Sequence, residues 1–208
     1  MDIRKEALRY LGYKGEPDIQ TNELLDRAEA ELKMVVEPKF CWRVYRKADC
    51  DNIIIGNDIR NHLIDSERII LFAATLGSAA DRIIRKAEIS NMAYAVVLDA
   101  YASALIEEYC DICEIEMKAK TGGCYTFRYS AGYGDYPISV QGEFIRMLSA
   151  DKLIGLTATE NHILIPRKSV TAIIGITDTV QPEKNNKCDN CNMKNTCRFR
   201  KDGDYCGR

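Results

Sequence analysis

Arg68-Ile69-Ile70-Leu71-Phe72-Ala73-Ala74-Thr75 is an apolar run of strand length with no alternation in it. Such a run predicts a buried strand rather than one with a wet face. Leu76-Gly77-Ser78 then turns the chain into a helix predicted over 79–89. Ser90 is the expected cap of the longest helix, 91–116, whose expected inner face carries Ala93, Val96, Val97, Ala100, Ala104, Leu105 and Ile112. Many of these are small, so a neighbouring element can approach closely.

Working outward, Ile3, Ala7, Leu8 and Leu11 share one helical face, and the segment stops at Gly12. A second helix begins at Thr21, the expected cap, with Leu24, Leu25, Ala28, Leu32 and Val35 as its apolar stripe and Pro38 beyond its end. Residues 40–46 read as a strand, and Ile53-Ile54-Ile55 as a short one halted by Gly56. On the carboxyl side, strands are expected over 124–129, 156–159, 162–165 and 169–177, with a helix over 141–148. Glu160-Asn161 makes a tight turn between the second and third of these strands. Helices mixed with hairpin-connected strands give an α+β class: a mainly antiparallel twisted sheet with flanking helices, plus a short Cys-rich carboxyl-terminal tail.

The chain has 208 residues, and 29 basic residues stand against 31 acidic ones. A balance so close to neutral excludes a strong basic footprint, so nucleic acid is not an expected partner. No apolar run approaches the roughly 18 residues that a membrane span needs, and Met1-Asp2-Ile3-Arg4-Lys5-Glu6 does not read as a signal peptide. The expected location is cytoplasmic. With only His62 and His162 present, a His-rich zinc centre and most His-based acid–base chemistry are excluded as expectations. Both histidines read as structural.

Nine cysteines in a chain with no secretion signal favour metal or redox use over disulfides. Four of them, Cys188, Cys191, Cys197 and Cys206, fall in a tail whose only large apolar residues are Met193, Phe199 and Tyr205. A segment so poor in apolar residues cannot fold by burial alone. Cys188-x2-Cys191 lets two sulfurs converge on one ion, and the other two can complete a tetrahedron. The surrounding Lys184, Lys187, Lys194, Arg198, Arg200 and Lys201 favour thiolates. Zinc and an iron–sulfur cluster both fit, and spacing does not separate them. The expected division is a domain over 1–181 and a metal- or cluster-binding tail over 182–208. Cys110-x2-Cys113 lies inside the long helix, not at a helix start after a strand, and reads as packing.

Arg128-Tyr129-Ser130-Ala131-Gly132-Tyr133-Gly134-Asp135-Tyr136-Pro137 is the most unusual segment. Its glycines permit close backbone approach to a ligand, its tyrosines offer stacking surface, Arg128 can hold a carboxylate, and Asp135 can pair a cation or a ribose. It is not a dinucleotide loop, because the glycine spacing fails. The alternative reading is a tight connection whose tyrosines cover the core.

This segment resembles the Arg-x-x-x-Gly-Tyr-x-x-x-Pro stretch of the reactivation domain of cobalamin-dependent methionine synthase. Ile154-Gly155-Leu156-Thr157-Ala158-Thr159-Glu160 is similar to that family's Thr-Gly-x-x-Leu-Thr-Glu-Ser stretch. Ile165-Pro166-Arg167-Lys168-Ser169-Val170-Thr171 is similar to its Trp-Pro-Gly-Ala-Ser-Val-Ser stretch, in the same order and at the same spacing. The resemblance implies a domain that binds S-adenosylmethionine and docks over a partner's cobalamin. An electron donor reduces inactive cob(II)alamin there, and methyl transfer traps the product. It implies that Arg128 holds the methionine carboxylate, and that Ser130, Gly132 and Tyr133 contact the ligand or face the corrinoid. Asp135 stands where the family has a small residue, and Gly134 where it has a proline. With no cobalamin, folate or homocysteine module in the chain, the implied protein is a free-standing accessory subunit of a methyltransferase. Two other readings stay open: a capping module that binds a corrinoid protein without S-adenosylmethionine, and a zinc-tailed structural protein unrelated to corrinoids.

Overall fold

The computed structural model describes residues 2–177. Helices α1 (Ile3–Tyr10) and α2 (Ile19–Val35) lead into strand β1 (Lys39–Arg46), the short helix α3 (Asn57–His62) and strand β2 (Arg68–Thr75). Helices α4 (Ser78–Ser90) and α5 (Met92–Thr121) follow, then β3 (Cys124–Tyr125), α6 (Gln141–Leu148), α7 (Ala150–Leu153), β4 (Thr157–Ala158), β5 (Leu164–Ile165) and β6 (Ser169–Thr177). The main sheet runs β1-β2-β6-β3 and is antiparallel throughout, with β4 and β5 as a separate pair. The expected α+β class is what the chain adopts.

Strand β2 lacks alternation because it is central and covered on both faces. Ile70, Phe72 and Ala74 point into a core shared with α2, α4 and α5. Ile69, Leu71 and Ala73 point into a second core built from residues 50–63 and from Val140, Phe144 and Leu148. Strand β6 divides in the same way, with Ala172, Ile174 and Ile176 on the helical side and Ile173 on the other. Each fully buried Leu, Ile or Phe contributes about 1.5–3 kcal/mol, so the two cores together hold the sheet as the middle of three layers. Among the described residues no helix is long and apolar enough to cross a membrane.

The structure corrects several local expectations. Helix α2 begins three residues earlier than its Thr21 cap implied, because the Asp18 carboxylate accepts the Thr21 N–H at 2.7 Å. Helix α5 is capped by Asn91 rather than Ser90, and runs on to Thr121. Its inner face carries Tyr94, Leu98, Tyr101 and Ile106, while Ala93, Val96 and Ile112 face outward. The first half of α5 is apolar around much of its circumference, so periodicity alone did not fix its phase. Ile53 and Ile54 form a turn rather than a strand, their N–H groups donating to the Cys50 carbonyl at 3.0 and 3.1 Å. Both are buried in the second core, so burial there does not require a sheet partner. The strand expected over 124–129 shrinks to two residues plus a single bridge between Tyr129 and Ile173. Cys110 and Cys113 are buried in the helical core, as packing residues.

Candidate functional site

Gly122 and Gly123 end α5 and return the chain antiparallel to it, so the segment after β3 runs back alongside the helix it has just left. Tyr129 is pinned to β6 by two backbone hydrogen bonds with Ile173, both 2.9 Å long. This fixes Arg128, which lies back over the second half of α5. Its guanidinium donates to Glu114 at 2.8 Å, to Asp111 at 2.8 Å and to Glu107 at 3.3 Å. The three carboxylates sit at i, i+4 and i+7 on one helix face, so a single forked cation can reach all of them. Arg128 and Glu114 are largely buried (17% and 16% of side-chain surface exposed), whereas Asp111 is 43% exposed. Burial raises the Glu107 carboxyl above its usual range against the opposing pull of Arg128, and Asp111 adds to the rise.

Beyond Arg128 the chain makes a tight loop. The Gly132 N–H donates to the Tyr136 carbonyl at 2.8 Å, and the Tyr136 N–H donates to the Tyr133 carbonyl at 2.9 Å. The Ser130 carbonyl accepts from the Tyr133 N–H. Helix α3 latches this loop from below. The Asp135 carboxylate accepts the N–H groups of Asn57 and Asp58 at 2.7 and 2.9 Å, capping α3, and the Asp58 carboxylate accepts the Asp135 N–H at 3.1 Å. Those two amide bonds hold the Asp135 carboxyl below its ordinary range. Gly134 sits at φ +55°, and a Cβ there would run into the Asp58 carboxylate, so the close approach of loop and helix requires glycine.

The tyrosines divide. Tyr136 is buried in the second core, while Tyr133 is 62% exposed at the loop tip. Between them, Tyr129 stacks with His62 at 4.9 Å, and His62 packs on Phe127 at 4.4 Å. His62 Nε2 lies 2.9 Å from the Phe127 carbonyl. Burial holds the His62 ring neutral, with its pKa lowered to about 4.

An open groove of about 700 Å³ runs along the outer side of α5, lined by Tyr10, Met92, Val96, Asp99, Ser103 and Arg167. Lys168 ties two of these lining residues together, donating to the Asp99 carboxylate at 2.8 Å and to the Ser103 hydroxyl at 2.8 Å. Ser103 is one helical turn from Glu107, and the Tyr10 phenol lies in the field of both Glu107 and Tyr133. Partial burial pushes Tyr10 up to about 12, and Glu107 and Glu6 add to the push. Tyr10 is thus the groove residue that also feels Glu107, a partner of Arg128, and Tyr133 of the loop.

Of the residues expected to bind a ligand, Arg128, Ser130, Gly132, Tyr133 and Asp135 fall in one loop. None of the five is among the residues that line the groove; Arg128 is engaged by the three acids of α5, and Tyr133 lies exposed at the loop tip. Asp135 spends both carboxylate oxygens on α3, and Ser130 contributes its backbone to the turn. Cys188, Cys191, Cys197 and Cys206 lie outside the described residues. Sequence reading passed over Tyr10, Asp99, Ser103, Asp111 and Glu114. The i, i+4, i+7 spacing of the three acids was the one signal that could have found the partners of Arg128.

No family model and no curated protein sequence matches the chain. Among solved structures the architecture has clear counterparts, and it is the fold of a methionine synthase reactivation domain. The chain is similar to the MetH reactivation domain, whose crystal structure has AdoHcy (S-adenosylhomocysteine) bound. The likeness has a TM-score of 0.61 at 13% identity, and covers 86% of this chain and 77% of that one.

Proposed function

We propose that the chain is an accessory reactivation subunit for a cobalamin-dependent methyltransferase, methionine synthase or a related corrinoid protein, and that it binds S-adenosylmethionine along the groove and the Arg128 loop. The observation that carries this reading is the fold itself, whose solved counterpart holds AdoHcy, joined to an open groove lined by Tyr10, which lies in the field of Glu107 and Tyr133. The ligand has a carboxylate, an ammonium, a sulfonium and a flat base. Arg128 takes the carboxylate, displacing Asp111, the most exposed of its three partners. Glu107 and the released Asp111 face the two cationic groups. Tyr10 and Tyr133 offer ring faces to the base. When bound, S-adenosylmethionine supplies a methyl group, and the cobalt stays with the partner. This chain's residues position the donor and exclude water. An electron donor serves the partner's cobalt, and the tail cysteines hold zinc or an iron–sulfur cluster. The second of these would bring the electron source close. The protein works in the cytoplasm.

The three carboxylates already on Arg128 favour a second reading, a capping module that covers a corrinoid protein without binding S-adenosylmethionine. Calorimetric titration separates the two. The first reading expects saturable heat with S-adenosylmethionine, weakened about tenfold by Tyr133→Ala, since losing an aromatic contact costs roughly 1.4 kcal/mol. Tyr133 is exposed, so its removal leaves the fold intact. An absence of heat with wild-type protein abandons S-adenosylmethionine binding in favour of the cap. Anaerobic purification with an absorption spectrum and metal analysis decides the tail. A brown protein with about four irons indicates a cluster, and a colourless one with a single zinc indicates a staple.

A further inference from the structure

In its second half α5 carries, on the face turned away from Cys110, Cys113 and Met117, an apolar stripe that no described element covers. Ile112 and Ile115 are 57% and 71% exposed, and the neighbouring positions on that face are Glu108, Asp111 and Glu116. Between residues 107 and 116 the helix holds five acids and no base. Counting Arg128, Lys118 and Lys120, which pair with three, one and one of these acids, still leaves an excess of two negative charges.

The described chain stops near the carboxyl-terminal end of α5, on the sheet side of that helix. Thr177, the last residue of β6, pairs with Cys124, three residues past the end of α5. Ile115 lies six residues from that helix end, about 9 Å along the axis. The 16 residues from 178 to 193 span on the order of 50 Å when extended, far more than that distance. Between Met193 and Lys201 the tail carries Lys194, Arg198, Arg200 and Lys201 with no acid, and its apolar residues there are Met193 and Phe199. An acidic helix face with an apolar centre thus lies within reach of a basic segment with two apolar anchors.

We propose that residues 193–201 of this same chain dock on the Ile112–Ile115 stripe of α5, with Met193 and Phe199 against the isoleucines and the four bases against Glu108, Asp111 and Glu116. The inference does not depend on what the cysteines or the groove bind.

The test is zero-length carbodiimide coupling on the intact chain, purified anaerobically and mixed from equal parts of nitrogen-15-labelled and unlabelled protein, followed by mass spectrometry. Links from Glu108 or Glu116 to Lys194 or Lys201 are expected, each within one isotopic form. They should fall several-fold in about 0.5 M salt, where screening shortens to a few ångströms. They should be lost in the Ile112→Asp, Ile115→Asp double variant, whose substituted side chains are exposed and whose unchanged melting temperature shows that the fold is kept. Links of mixed isotope would mean that a second copy occupies the stripe, and overturn the proposal. So would links that survive the double variant, or an absence of any link between α5 and the tail.

Discussion

Replacing Arg128 by methionine keeps the aliphatic stem and removes the charge that three carboxylates share. The contribution of that charge can be worked from the geometry. The pair with Glu114 is 2.8 Å long and mostly shielded from water on both sides. Breaking a fully buried pair costs about 3–5 kcal/mol, so a largely buried one is set at roughly 2 kcal/mol. Glu107 and Asp111 are each more than a third exposed, and solvent screening limits them to about 0.5 kcal/mol apiece. The total is about 3 kcal/mol, or a fall in Tm on the order of 6–12 °C for a domain of this size. The pH dependence has a defined sign. Burial already raises the folded-state carboxyl of Glu107, so what it contributes to stability is present at low pH and lost as pH rises through its folded value. Without Arg128 that folded value rises further, and the loss on going to neutral pH grows. Calorimetric melting of both proteins from pH 4.5 to 7.5 should therefore show a gap that widens with pH. A gap that is constant across the range, or a variant within about 1 °C of wild type at neutral pH, would refute the reasoning.

Two further perturbations probe the loop and the helix beneath it. Gly134→Ala forces a left-handed conformation, which costs about 1–2 kcal/mol, and drives a methyl group into the Asp58 carboxylate. Amide hydrogen exchange at Asn57, Asp58 and Asp135 should accelerate in this variant while β2 stays protected; unchanged exchange at those three amides would show that the latch is not mutual. His62 is held neutral with its pKa lowered to about 4, so between pH 6.5 and 4 the unfolded chain takes up a proton that the folded chain refuses. Stability is full above 6.5 and declines as pH falls through that window. His62→Gln should flatten the decline measured by urea titration, and an equally steep decline in the variant would assign it to other groups.

How much was legible in the sequence depends on where the signal was stored. The run from Arg68 to Thr75 announced a buried strand because burial on both faces leaves no polar position to hide it. Helix α6 was equally plain, with Phe144, Ile145 and Leu148 spaced to face the sheet. Caps were harder, since Asp18 and Thr21 can both start α2 and only the backbone geometry chooses between them. The phase of α5 was obscured by its excess of apolar residues. Ile53 and Ile54 misled because a turn can bury side chains as well as a strand can. At the site, the loop from Arg128 to Pro137 stood out by composition. Its supports did not, since Asp58 and His62 lie some seventy residues away along the chain, joined only by the fold. Tyr10 was hidden in the same way, reading as the last residue of an ordinary first helix.

The sheet separates two hydrophobic interiors that share no side chain, yet the same two strands wall both. Neither interior can melt while the other stays dry, because loosening β2 or β6 admits water on both sides at once. The grooved, helical half and the half that carries the tyrosine loop are thus bound to a single fate. Damage introduced far from the loop, even at the back of α2, reaches it through the common wall rather than through any chain of polar contacts.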